Sequence, residues 1–243
     1  MEKFQPIANT APTTFVGKVK FYFRMVLDLQ ILTIYSAMKK ELPRFEGKVL
    51  DVGCGDSPYY HLLHKDKTNY YGIDVAIADD FKYSNEKITI FDGKHIPFND
   101  GFFDAFLCTE VLEHCFEFQA LIDDMYRVSR KGAKGIITIP WSARYHYIPY
   151  DYFRYTPSTL KKIFTSFGKV EVYGRGTDLT AICAKIIVLF FRNFTTPRYF
   201  WTIPFLLVLF PCFIFAVLLG HLSLLLNLGS GEDPLGYTII VEK

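Results

Sequence analysis

A chain of 243 residues holds one α/β domain with an added element and is too short for two large ones. Its formal net charge of +2 gives no global basic field, and with neither an arginine-rich arm nor an aromatic platform it does not read as a nucleic-acid binder. The five cysteines, Cys54, Cys108, Cys115, Cys183 and Cys212, are odd in number and lack C-x-x-C spacing, so they read as reduced, structural thiols rather than a disulfide framework or a metal knot.

Residues 1–14 lack the apolar core of a signal peptide. Over residues 18–42, Val19, Phe23, Val26, Leu27, Ile31, Ile34 and Met38 recur close to helical spacing, which predicts a helix that packs on the domain or lies over its ligand. Lys18, Lys20 and Arg24 at its start suit anionic headgroups. A first strand over 48–52 then runs into Asp51-Val52-Gly53-Cys54-Gly55, an apolar run that ends in an acid and Gly-x-Gly. Gly53 and Gly55 let the backbone take positive φ and approach a ligand, with the Asp51 carboxylate beside it.

After a helix expected to carry His61 and His64 on its solvated side, a second strand over 69–74 ends in Asp74, about twenty residues past the glycines, where a carboxylate accepts both hydroxyls of a ribose. That spacing fits a nucleoside, whether a dinucleotide or S-adenosylmethionine. Pro58 stands where the dinucleotide fingerprint wants a third glycine, which argues against a pyrophosphate. A third strand, 88–91, leads to Asp92-Gly93, and a fourth, 103–108, leads to Thr109-Glu110-Val111-Leu112-Glu113-His114.

These pieces, in this order, resemble class I S-adenosylmethionine-dependent methyltransferases of the broad bacterial type 11 group, over roughly residues 45–175. The resemblance implies a Rossmann-like α/β fold, a seven-stranded, mostly parallel sheet with helices on both faces, and S-adenosyl-L-methionine as cofactor. It implies that Asp51, Gly53 and Gly55 cradle the amino-acid part, that Asp74 holds the ribose and that Asp92, followed by Gly93, meets the adenine amino group. Cys54 and Cys108 are placed beside the cofactor as small packing residues.

A helix over 118–129 is expected to stop at Ser129-Arg130-Lys131-Gly132, and a fifth strand covers 135–139. The aromatic-rich run 140–155 that follows suits the wall of an acceptor pocket with one polar centre, His146 and Asp151. His146 is the candidate for taking the acceptor's proton; the competing reading has His146 only hydrogen-bonded and Asp151 tied to Arg154. His114 reads as structural, and no His/Asp/Glu grouping has metal-site spacing. A helix over 157–167, N-capped by Thr156 with Pro157 in its first turn, precedes strands over 169–173 and 236–241.

Between those last strands lies a hydrophobic insertion. Residues 199–231 carry no formal charge and 205–219 are almost wholly apolar, enough to cross a bilayer once but not twice. A final strand that returns to the sheet forbids a single crossing, and Pro204 and Pro211 are expected to break the helix. A shallow hairpin or interfacial helix pair results, with Lys185, Arg192, Arg198, Tyr199 and Trp201 suited to the interface. The chain thus divides into an N-terminal helical segment (1–44), the cofactor-binding core (45–176), the membrane-associated insertion (177–235) and the last strand (236–243). The expected function is O-methylation of a small-molecule, lipid-linked or glycan acceptor at the cytoplasmic face of a membrane, with a nicotinamide-dependent oxidoreductase or a non-catalytic membrane-bound scaffold as the alternatives.

Overall fold

The computed structural model describes residues 12, 14–75, 88–195 and 202–243, so Arg198, Tyr199 and Trp201 lie outside the described residues. Seven strands, β1 (Gly47–Val52), β2 (Thr68–Val75), β3 (Ile88–Phe91), β4 (Phe103–Thr109), β5 (Ser129–Pro140), β6 (Lys169–Arg175) and β7 (Gly236–Glu242), form one sheet in the order β3-β2-β1-β4-β5-β7-β6. β1 to β5 are parallel, and β7 runs antiparallel between β5 and β6. The order reverses at β1 and β4, so the crevice past their carboxyl ends is where such a sheet takes a ligand.

Alternation along the central strands feeds two cores. Leu50 and Val52 of β1, Phe106 and Cys108 of β4 and Ile137 and Ile139 of β5 face α3 (Phe118–Val128) and α4 (Pro157–Ile163). Val49, Ala105, Leu107 and Ile136 point the other way, onto α2 (Leu29–Glu41) through Ile34 and Met38. Arg127 of α3 braces the connection from β3 to β4: its guanidinium donates to the carbonyls of Ile96 and Phe98 and to Asp100 and Asp124.

Four local expectations are corrected. The N-terminal helix is two helices, α1 (Phe15–Leu27) and α2, because Asp28 leaves helical geometry and its Oδ1 accepts from Ile31 N at 3.1 Å as the N-cap of α2. The described residues between β1 and β2 make a single 3-10 turn, Tyr60–Leu62, in place of a helix. His61 is there half-buried, its ring stacked on Tyr35, rather than solvated; His64 is exposed. The stop after α3 comes at Val128, and β5 starts directly at Ser129, whose hydroxyl donates back to Met125 O.

The fourth correction concerns the insertion. It forms a hairpin of α5 (Asp178–Thr195) and α6 (Thr202–Leu226), and α6 continues through Pro211 instead of breaking. Pro204 falls in the first turn, where no backbone donor is needed, and one lost bond at Pro211 is offset by packing on α5, where Phe190 and Phe213 stack at 4.4 Å. At its 25 residues α6 is ~37 Å long, and by length and composition it is able to cross a membrane. The hairpin base is tied by hydroxyls: Ser223 Oγ lies 2.7 Å from Thr180 Oγ1 and 3.0 Å from Thr177 Oγ1.

Candidate functional site

The loops at the carboxyl ends of the strands enclose a cavity of about 1110 Å³. Asp51, Gly53, Cys54, Gly55, Asp74, Asp92 and Gly93 all line it, so the acids and glycines singled out from the sequence converge on one space. Cys108 does not line it; it is wholly buried in the core beneath.

The turn after β1 is built backbone-first. Gly53 N and Cys54 N both donate to Ile73 O of β2, at 2.9 and 3.1 Å. Gly53 sits at φ +66°, and a Cβ there would come within 2.4 Å of Val111 Cγ2, so a side chain is excluded on two counts. Gly55 N donates to Asp74 Oδ2 at 2.9 Å, and Asp74 Oδ1 accepts from Val75 N at 2.8 Å, which locks this carboxylate to both strand ends. Asp92 closes a turn by accepting from the backbone of Lys94 and His95; those bonds, His95's first, hold its carboxyl below the usual range.

Asp51 is buried, and burial pushes its carboxyl up to about 7; the Tyr70 hydroxyl, donating at 2.7 Å, pulls the other way, and Asp74 adds repulsion. A buried carboxylate poised near neutrality is suited to a cationic partner. Tyr70 and Ser57, which support it, carry no sequence signal, since a Tyr in a strand reads as ordinary β-propensity.

The other side of the cavity is built after β4 and β5 and from the helices. Glu110, at φ +53°, bonds Arg175 of β6 at 2.8 Å and accepts from Gln30 of α2 at 3.3 Å. Arg175 is buried, and no motif pointed to it or to Gln30; Glu110 lies in the segment after the fourth strand but carried no assigned role. His146 and Tyr147 line the cavity with His114, whose ring lies 5.0 Å from that of His146, edge to face. His146 Nδ1 is 2.9 Å from Arg144 O and 3.1 Å from Asp151 Oδ2. Asp151 itself does not line the cavity; it is clamped by Arg154 at 2.6 and 2.9 Å and by the backbone N–H of His146, which makes it a positioning residue behind the ring. From α5, Lys185 and Arg192 face the same space, and from α1 so does Arg24. Glu113 and His114, neighbours on the turn after β4, and His146 from the segment after β5 bring three donor atoms within 4.8 Å of one another.

Pro58 also lines the cavity, so the third glycine a dinucleotide needs is replaced at the site itself.

Residues 50–137 match the family model described as a methyltransferase domain. Protein MJ0638 of Methanocaldococcus jannaschii is 31% identical over 122 residues, 49% of this chain, and the chain spans about half the length of the curated relatives it matches, 53% in this case. Among solved structures, an S-adenosylmethionine-dependent methyltransferase from Archaeoglobus fulgidus aligns with a TM-score of 0.55 at 18% identity, covering 86% of this chain and 93% of that one. Haemonchus contortus phosphoethanolamine N-methyltransferase 2, in complex with S-adenosyl-L-methionine, aligns at 0.53 and 13% identity over 86% of this chain and 51% of its own. The likeness to these structures is one of fold. Residues 50–137 match a methyltransferase-domain model, and the sheet that contains them has the Rossmann-like fold shared with these structures.

Proposed function

We propose that this chain, with its S-adenosylmethionine-type methyltransferase domain, is a membrane-associated enzyme that O-methylates an anionic, lipid-linked acceptor at the cytoplasmic face. The observation that carries the cofactor assignment is the convergence of Asp51, Asp74 and Asp92 on one cavity floored by two positive-φ glycines. Asp74 takes the ribose, Asp92 the adenine amino group, and the Asp51 end of the turn the amino-acid part with its ammonium.

When bound, S-adenosylmethionine would supply an electrophilic methyl group for in-line transfer to an acceptor oxygen, with the S–CH₃ electrons left on sulfur and the proton of an acceptor hydroxyl lost to water. Most of the acceleration then comes from holding the two reactants close and collinear. The imidazoles of His114 and His146 form the polar corner that receives the acceptor atom, and Asp151 fixes the ring of His146.

Membrane association is supported by exposed apolar surface on two elements. On α6, Leu207, Val208 and Leu218 are 74%, 69% and 65% exposed, and on α1, Phe15 and Phe23 are 81% and 64% exposed. Lys185, Arg192 and Arg144 line the cavity beside the hairpin, which favours an acceptor that carries negative charge.

Incubation with methyl-labelled S-adenosylmethionine and membrane extract is expected to label the lipid fraction; no label in any fraction overturns the activity. The combined variant Leu207→Glu, Val208→Glu and Leu218→Glu is expected to abolish co-sedimentation with anionic vesicles while cofactor binding is retained. Co-sedimentation at the wild-type level would remove the membrane assignment.

The Asp51 carboxyl also sets a pH dependence. Below about 7 it is protonated in the free protein and attracts no cation, so binding must first expel the proton; above that it is ionised and attracts the cofactor directly. Cofactor affinity is therefore expected to rise between pH 5.5 and 7.5, with proton release at the lower end, and calorimetry in buffers of different ionisation heat checks both. Asp51→Asn is expected to flatten the profile.

A further inference from the structure

We propose that Glu113, His114 and His146 form a binding site for one divalent cation of the transition-metal type, open toward the acceptor side of the cavity. The donor atoms lie within 4.8 Å of one another, and cation–ligand bonds of ~2.0–2.2 Å place ligands ~3–4 Å apart, so only small side-chain rotations bring them together.

Two of the donors are left over by their surroundings. Glu113 is fully buried, and neither of its carboxylate oxygens has a hydrogen-bond partner. A buried carboxylate in that state calls for a counter-charge. His114 Nδ1 lies 2.6 Å from Tyr150 O, and because a carbonyl only accepts, Nδ1 holds the proton and Nε2 holds the lone pair. That Nε2 is buried, has no hydrogen-bond partner and stands 3.6 Å from Glu113 Oε1, too far for a hydrogen bond between them. His146 repeats the pattern: its Nδ1 faces Arg144 O at 2.9 Å and Asp151 Oδ2 at 3.1 Å, two acceptors that fix the ring by that nitrogen. Two imidazoles, each with the proton-bearing nitrogen fixed by a backbone carbonyl, are oriented as metal ligands are.

The two loops that supply the ligands are pinned to each other. Glu113 O accepts from Tyr152 N at 2.8 Å, and Leu112 O accepts from the Tyr155 hydroxyl at 3.0 Å. Glu113 and His114 come from the turn after β4 and His146 from the segment after β5, so the site forms only in the folded chain. Two nitrogens and one carboxylate favour Zn²⁺, Co²⁺, Fe²⁺ or Mn²⁺ over Ca²⁺ or Mg²⁺, and three protein ligands leave open positions, the pattern of a catalytic rather than a structural site. His114 and His146 both line the cavity, so an open position faces the acceptor. An acceptor hydroxyl held there loses its proton to water more readily, a role that rests on the methyltransferase reading although cation binding itself does not.

Co²⁺ titration of the chelator-stripped full chain, followed by visible absorption, tests the site. One equivalent is expected to bind with a ligand-field band, and His114→Ala, His146→Ala and Glu113→Gln are each expected to weaken binding at least about tenfold. S-adenosylmethionine binding measured on the same samples reports that the variants are folded, and His146→Ala, on a partly exposed loop, keeps the test usable if the buried Glu113 variant does not fold. No Co²⁺ band in the wild type, or folded variants that bind as the wild type does, overturns the site. Co²⁺ bound at these residues by a protein that binds no S-adenosylmethionine would uphold the site and overturn the methyltransferase reading instead.

Discussion

Asp74→Ala is expected to weaken S-adenosylmethionine binding by roughly two to four orders of magnitude. An ionised carboxylate that accepts both ribose hydroxyls contributes about 1.5–3 kcal/mol for each bond, so about 3–6 kcal/mol is lost when both go, and ~1.4 kcal/mol is a factor of ten. The same carboxylate fixes the Gly55 N–H at 2.9 Å, so its removal also loosens the glycine turn. Asp74→Asn retains an acceptor for one of these groups and is expected to fall between the two. Isothermal calorimetry distinguishes the cases, and an Ala variant with wild-type affinity would dissociate Asp74 from the ribose.

The second large effect is on stability. Glu110→Ala leaves the guanidinium of Arg175, 4% exposed, without its carboxylate, and a buried charge stripped of its partner typically costs about 3–5 kcal/mol. Arg175 Nη2 keeps Ile139 O at 3.0 Å, but its Nε and Nη1 are buried without hydrogen-bond partners, so a neutral oxygen is all that remains. Glu110 is itself about a quarter exposed on its side chain, 23%, which puts the expectation toward the lower end of that range. Urea unfolding measures it. The double variant Glu110→Ala, Arg175→Met is expected to recover much of the loss because no charge is then stranded; additive losses would show that the pair is not the cause. The bond from Gln30 to Glu110 predicts a second readout, faster proteolysis of α1 and α2 in the single variant.

The first three strands were readable because each is a short apolar run that ends in or runs into an acid. Asp51, Asp74 and Asp92 end or follow their strands, and the parallel pairing Asp51↔Gly72 and Asp74↔Ile90 brings those ends to one edge. What sequence patterns concealed was decided by contacts between distant segments. Asp28 splits the N-terminal helix because its side chain caps α2, although apolar spacing continues across it. Pro211 is tolerated because α6 is long, apolar and supported by α5. Spacing rules for metal ligands are local, so Glu113 and His146, brought together by loops from neighbouring strands, fall outside them. Only its burial exposes the need of Glu113 for a partner.

The placement of β7 between β5 and β6 makes the two feet of the apolar hairpin neighbours, since Arg175 and Gly236 are paired across the ladder. An excursion that leaves and re-enters at one rung can be lengthened, trimmed or exchanged with little penalty to the ladder that carries it. The residues proposed to hold the cofactor all lie upstream of it, whereas Lys185 and Arg192 ride on its first arm. On the proposed function, exchanging this hairpin is expected to alter which acceptor is received while the donor end of the cavity is left in place.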